Sequence, residues 1–246
     1  MTLNDLRAAG IDVSPAVRDR LAAFVRLLLA ENERVNLTAI RAAPEAWVLH
    51  ICDSLAVLPL LRRSLEVEKD GAEAAGRAGL RLLDLGSGGG VPGIPLACVV
   101  PEVEVTLLDA TRKKVAAVER IIGELGLPNA AGAWGRAELK AHEPEFRERF
   151  DVVCARAVAR LPVLLEFAAG FVRPGGECWL YKSAAAAEGE RAAAESAARI
   201  CRLSYSGLHT YRLPGEADDR AILIYQKRAN LPEHLPRPGQ AGKPHR

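Results

Sequence analysis

Paired cysteines, charge of one sign and long apolar runs are all scarce in this sequence, and each scarcity removes a class of function. The five cysteines (Cys52, Cys98, Cys154, Cys178, Cys201) are widely spaced, odd in number and include no C-x-x-C pair, so neither a zinc site nor a disulfide framework is indicated. A reducing, cytosolic setting follows. A net charge of +2 gives no overall basic character, so any nucleic-acid surface has to come from local clustering. The start, "MTLNDLRAAGIDVSP", lacks a basic region followed by an apolar core, and no run approaches the ~18 apolar residues of a membrane span. No membrane association is expected. In a cytosolic chain the sequon Asn36-Leu37-Thr38 is not a glycosylation acceptor, so its polar residues need another explanation.

What is present suits a folded domain: 246 residues, 49% of them hydrophobic and 26% charged, enough to bury a core. Ser14-Pro15 reads as an N-cap and first helical residue, followed by Val17, Leu21, Val25 and Leu28 at helical spacing. A second helix is expected over 44–61, and the small, polar stretch 66–79 reads as a surface connection. From Leu80 the pattern changes to short apolar runs alternating with helices: "LRLLDL", "EVTLLD", "AGAWG", "FDVVCARA" and "ECWLYK". Such alternation implies a mostly parallel α/β sheet covered on both faces, with ligands beyond the carboxyl ends of the strands. "AAAAEGERAAAESAARI" should be helical, and "SYSGLHTYRL" with "RAILIYQKR" reads as an antiparallel pair. The expected divisions are a helical extension and linker (1–79), a catalytic domain (80–228) and a basic, proline-rich tail (229–246).

The stretch "LLDLGSGGGVPGIPLA" (82–97) places a glycine cluster between a strand and a helix. A nucleoside triphosphate loop would need Gly-Lys-Ser/Thr, and no lysine lies between Arg81 and Pro101. A dinucleotide fingerprint can be drawn as Gly88-x-Gly90-x-x-Gly93, but it leaves Asp84 unexplained. The acidic-x-Gly-x-Gly-x-Gly pattern of S-adenosylmethionine-dependent methyltransferases uses every piece. Glycines Gly86 and Gly88 permit positive φ and close backbone approach, and Asp84 can bind the ligand's ammonium directly or through water. Asp109 ends the next strand, where it either accepts both hydrogen bonds of a ribose diol or merely caps the helix opening at Thr111. After the third strand, Ala137 and Glu138 either read an adenine edge or form an ordinary loop. Arg156 is placed to contact nucleotide or cofactor carboxylate, or to form a surface ion pair. Cys154 raises the possibility of thiolate chemistry on cytosine, but lacks a Pro-Cys context and a second catalytic cysteine; a buried strand cysteine is the simpler reading. His50 and Asp53 are one turn apart and have no third ligand nearby, so no metal is expected.

Beyond the glycines, Asn36-Leu37-Thr38, "HICDS" with His50, Asp53 and Ser54, "DLGSGGGVPGIPLA", "LLDATRKK", "GRAE", "ARAVARL" and Lys182 occur together in an order that resembles the bacterial RsmG (GidB) family. These proteins are guanine-N7 methyltransferases of 16S ribosomal RNA in the small subunit. The resemblance implies a Rossmann-like class I methyltransferase fold, S-adenosylmethionine as cofactor, and cofactor contacts from Gly86, Val91, Asp109, Ala137, Glu138 and Arg156. Arg156 is the catalytic candidate; Arg112, Lys113, Lys114, Lys182, Arg220 and Arg237 are candidates for RNA. Two positions depart from the family pattern: Ser183 stands where glycine is usual, and Gly89 where Ala or Pro is usual. Guanine N7 already carries an in-plane lone pair, so no base is required, in keeping with the absence of an Asn/Asp-Pro-Pro-Tyr/Phe motif. An NAD(P)-dependent oxidoreductase and a catalytically silent RNA-binding protein are the alternatives. A monomer acting in the cytoplasm is expected.

Overall fold

The computed structural model describes residues 6–7, 9–75 (67–75 as backbone only) and 79–239. Helix α1 (Pro15–Asn32) starts where Ser14 Oγ accepts from the Val17 amide at 3.3 Å and Pro15 takes the first turn. Proline lacks only an amide hydrogen that would have no intrahelical partner there. Its buried face is Leu21, Phe24, Val25 and Leu28, all 0% exposed. Burying each such side chain contributes about 1.5–3 kcal/mol, so this helix belongs to the core and is no loose appendage.

The region expected as one helix over 44–61 is in fact broken. Helix α2 (Ala43–Ala46) widens into a π-helical turn over Trp47–Cys52, continues as α3 (Asp53–Leu55), and after a turn α4 spans Leu58–Ala75. Helix α4 therefore runs through most of the stretch expected as a surface connection; Glu, Lys and Ala are good helix formers whether or not they are polar or small. By length and composition the helical run Ala43–Glu66 could cross a membrane, with mean hydropathy 1.3. However, 67% of that window is buried inside the protein, which is the behaviour of a core helix.

The remaining elements are β1 (Leu80–Leu85), α5 (Gly93–Val99), β2 (Val103–Asp109), α6 (Arg112–Leu125), β3 (Ala130–Trp134), α7 (Ala137–Lys140), β4 (Phe150–Arg156), α8 (Leu161–Phe171), β5 (Val172–Ser183), α9 (Ala184–Ile200), β6 (Leu203–Arg212) and β7 (Asp219–Lys227). They form one sheet in the order β3-β2-β1-β4-β5-β7-β6. The first five strands are parallel, while β7 runs antiparallel to both β5 and β6. The Pro174-Gly175-Gly176 stretch lies inside β5, where pairing with β4 shifts register, and Gly175 takes φ +83°. Helices cover both faces, giving the Rossmann-like α/β architecture.

Strand parity decides which face each side chain joins. Leu82, Leu107, Val152, Cys154, Trp179 and Ile222 pack with α1–α6 on one side; Leu83, Leu85, Val153, Ala155, Leu180 and Leu223 pack toward α8 and α9 on the other. Strand order reverses between β1 and β4, where Asp84 pairs with Cys154 and Leu85 with Ala155. A crevice at the carboxyl ends of these strands is the expected ligand position in such sheets. The described part of the tail is docked. Leu231 and Leu235 are buried, and Arg147 donates to the carbonyls of Leu231, Pro232 and Leu235 at 2.9–3.1 Å.

Candidate functional site

Beyond β1 the chain turns sharply: Gly86, Gly88 and Gly90 have φ of +73°, +55° and +87°. The Gly86 and Ser87 amides both donate to the Leu108 carbonyl, at 2.8 and 3.0 Å. A Cβ on Gly86 would lie 2.6 Å from Val158 Cγ2, so shape and backbone conformation both demand glycine. Val91 is buried beside this turn. Asp84 sits beneath it, 0% exposed, accepting from the Gly93 amide at 2.8 Å through Oδ2. Its Oδ1 has no hydrogen-bond partner, and burial raises its pKa to about 7. The expected direct contact with a ligand ammonium is thus not open in this arrangement: Asp84 is enclosed, bracing the glycine turn against α5.

Asp109 lies at the end of β2, one strand over. Its Oδ2 accepts from the Gly88 amide at 3.0 Å and its Oδ1 from the Thr111 amide at 2.7 Å. It therefore caps the start of α6 and also ties that start to the glycine turn. Each oxygen of a carboxylate can accept a second hydrogen bond, so neither is exhausted. Ala137 opens α7, and Glu138 is buried, 3% exposed, with Arg136 Nε at 2.7 Å. Glu138 is not the solvated side chain of an ordinary loop.

Arg156 is engaged differently from the expected role. Its Nη1 donates to the Leu49 carbonyl and to Asp53 Oδ2, both at 2.7 Å, and its Nη2 lies 2.9 Å from His50 Nδ1. Parity explains this. Arg156 shares a face with Val152 and Cys154, the face covered by the N-terminal helices, so it meets the π-helical turn that carries His50. The structure gives it a bracing role, and its assignment as a catalytic group has no geometric support. Asp53, 0% exposed, also accepts from the Tyr211 hydroxyl at 2.6 Å and faces Arg220 at 3.5 Å. Because arginine only donates, His50 Nδ1 is an acceptor and its Nε2 carries the hydrogen. That hydrogen goes to Thr38 Oγ1 at 2.8 Å, which also accepts from the Ile40 amide at 3.1 Å. Burial, and then the Arg156 charge, hold the His50 pKa down to about 4. Asn32 fixes the same segment, its Oδ1 accepting from the amides of Leu37 and Thr38 at 2.8 and 3.0 Å. The sequon is thereby explained as an anchored strip lying against Gly88 and Gly89, where an added Cβ would stand 3.9 and 3.5 Å, respectively, from the Leu37 carbonyl oxygen.

The cations expected for RNA divide into two groups. Lys182 bonds the Ala159 carbonyl at 3.0 Å and Glu190 at 3.1 Å. Arg220 faces buried Asp53, and Arg237 pairs with Glu166 at 2.7 Å. All three also hold the structure together; residues 240–246 of the tail lie outside the described residues. Ser183 caps α9 by accepting from the Ala186 amide at 3.2 Å. Arg112 and Lys113 are exposed and Lys114 half-buried at the start of α6. Arg112 lies over the Trp134 ring, 5.5 Å from its centroid. Cys154 is fully buried, and desolvation pushes its thiol well above the ordinary range, which excludes a resting thiolate.

Residues 18–213 match the GidB family, described as rRNA small subunit methyltransferase G. The protein called ribosomal RNA small subunit methyltransferase G in Carboxydothermus hydrogenoformans is 41% identical over 214 residues, covering 87% of this chain and 85% of its own length. Its namesake in Deinococcus deserti is 37% identical over 232 residues, covering 93% and 87%. Among solved structures, a Klebsiella pneumoniae protein assigned as an O-methyltransferase superposes with a TM-score of 0.54 at 17% identity, covering 92% of this chain and 96% of that one. It supports the fold alone. With the match running from the first N-terminal helix through β6, the chain belongs to the GidB family of small-subunit rRNA methyltransferases.

Proposed function

We propose that this protein transfers a methyl group from S-adenosylmethionine to N7 of a guanine in 16S ribosomal RNA, acting as a monomer in the cytoplasm. In this reading residues 80–228 form the transferring unit, 1–79 its helical cover and 229–246 an appended tail. The observation that carries it is the family match across the glycine turn and the N-terminal layer together.

The residues present fit the cofactor. The turn is free of side chains where φ is positive, and both Asp109 oxygens retain acceptor capacity beside it. Bound there, S-adenosylmethionine supplies an electrophilic methyl on a sulfonium. Asp109 would hold the ribose, and Glu138 with the Ala137 backbone the adenine end. The protein's contribution is placement and exclusion of water, which can account for much of a barrier reduction. Guanine N7 needs no deprotonation, and the residues agree with that demand. His50 has both ring nitrogens engaged and a pKa of about 4, so it is not poised as a base near pH 7. Cys154 is a buried thiol, unsuited to attack on cytosine C6.

The test is calorimetric titration with S-adenosylmethionine, NAD(H) and NADP(H), followed by mapping of methylated bases on small-subunit RNA. Binding of S-adenosylmethionine with a new 7-methylguanine is the expected result. Binding of a nicotinamide dinucleotide, or methylation at any other atom, would overturn the reading.

A further inference from the structure

Of the three tryptophans in the chain, Trp47 and Trp179 are 1% and 0% exposed, whereas Trp134 is 55% exposed. Leaving so large a ring in water forfeits its burial, so its position asks for a reason. The ring is not loose: its Nε1 donates to the Ala110 carbonyl at 3.2 Å, and the Arg112 guanidinium stands 5.5 Å from its centroid. In register it is the partner of Asp109 across the β2–β3 pair. It therefore stands at the carboxyl end of the sheet, next to the proposed ribose carboxylate. Lys113 and Lys114 follow Arg112 at the helix start, and no ion pair to these three cations is seen among the described residues.

We infer that Trp134 and the Arg112–Lys114 cluster form a docking platform for one unpaired nucleotide of the RNA substrate, the base stacking on the ring and the phosphodiester meeting the cations. This rests on the methyltransferase reading above and extends it to how the substrate is held. The charge selects the occupant. Adenosine in S-adenosylmethionine carries no phosphate and is attached to a sulfonium, so cations beside the ring have nothing to neutralise there. A ribonucleotide offers both a π-face and a negative charge, the two things that single-strand binding sites combine. A ring pinned at its edge also presents its face without first losing rotamer freedom.

Because the other tryptophans are buried, Trp134 is its own reporter. Fluorescence of the full chain is titrated with a short unstructured oligoribonucleotide, with the same sequence as a duplex, and with S-adenosylmethionine. Quenching by the unstructured strand, and little by the duplex, is expected. Affinity of the variants, which lack this reporter, is read from the fluorescence anisotropy of a dye-labelled copy of the same strand; by that measure Trp134→Ala should weaken binding about tenfold, within the range for losing one base–aromatic stack. Trp134→Phe should retain most of the affinity, and both variants should bind S-adenosylmethionine as the parent does. Two results would overturn the platform: RNA affinity unchanged in Trp134→Ala, or quenching by S-adenosylmethionine with loss of its affinity in the variant, which would make Trp134 a wall of the cofactor pocket. Methyl transfer by the parent protein is measured in parallel. Its failure would refute the proposed function, while the quenching and the Trp134→Ala comparison would still decide the platform.

Discussion

At the seam between the carboxyl end of β4 and the N-terminal helices, Arg156, Asp53, His50, Tyr211 and Arg220 consume one another's hydrogen bonds, and Asp53 sees no solvent. At the β2–β3 edge of the same end of the sheet, Asp109 keeps acceptor capacity, Trp134 is exposed, and Arg112–Lys114 reach water. Both regions are rich in the residue types that chemistry uses. They differ in whether those groups are already satisfied by the protein. A charged group enclosed among partners costs heavily to disturb and has little left for a ligand, whereas an unsatisfied group on a fixed backbone is available to one. Residue type therefore marks both regions alike, and only the hydrogen-bond pattern separates scaffold from recognition.

The sharpest way to break this contrast is Asp53→Ala. Removing it leaves Arg156 and Arg220 without their carboxylate and the Tyr211 hydroxyl without its acceptor. Breaking a buried pair by deleting one partner costs about 3–5 kcal/mol, read as a fall in the denaturation midpoint at constant slope. A midpoint equal to that of the parent would show that the seam does not hold the N-terminal layer. Next in size is a pH effect. The folded His50 pKa, about 4, lies below its ordinary value of 6.5, so between these values the unfolded chain binds the extra proton. Stability from this group is full above pH 6.5 and is lost as pH falls toward 4, by at most about 3 kcal/mol. In His50→Gln this loss of stability between pH 6.5 and 4 should be absent; a loss of the same size in the variant would place the titration elsewhere.

At the open edge, Asp109→Ala should behave in the opposite way, costing more in binding than in folding. Losing a charged acceptor weakens a hydrogen-bonded ligand by roughly 2 kcal/mol, about thirtyfold in affinity for S-adenosylmethionine. Unchanged affinity in calorimetry would remove Asp109 from the cofactor site and leave it a cap for α6.

How much of this is legible in the sequence follows the range of the interactions. The strands β1 to β4 and the long helices α1, α6 and α9 follow from local apolar periodicity and caps, which a sequence displays directly. The continuation of α4 to Ala75 departs from the expected connection because composition alone does not separate a polar loop from a polar helix, and Ala, Glu and Lys favour helix. Face assignment carries a signal in the sequence: Val152, Cys154 and Arg156 alternate along β4, so Arg156 has to share the side of the N-terminal helices. The pairings that absorb the other cations carry none. Arg237 meets Glu166 across 71 residues and Arg220, on β7, meets Asp53 in the N-terminal layer, separations over which a single sequence holds no pairing signal. The exposure of Trp134 is hidden for the same reason, since an aromatic in a short strand ordinarily reads as core.

The smallest expected effect tests where the two regions touch. Gly89 lies between the glycine turn and α1, and a Cβ there would come 2.7 Å from Leu28 Cδ1 and 3.4 Å from Leu37 Cβ. Its φ is not in the left-handed region, so alanine adds no backbone strain, and the closest atom is the end of a leucine that can change rotamer. Gly89→Ala should therefore change stability by less than about 1 kcal/mol, the strain at Leu28 being set against the lower entropy of the unfolded chain. Gly86→Ala is the control for the same turn. There φ is +73° and Val158, branched at Cβ, stands 2.6 Å away, so neither backbone nor neighbour can yield cheaply. Equal midpoints for the two variants would mean that the N-terminal layer grips the turn as rigidly as the sheet does, and the division between scaffold and recognition would have to be drawn beneath Gly89 instead of beside it.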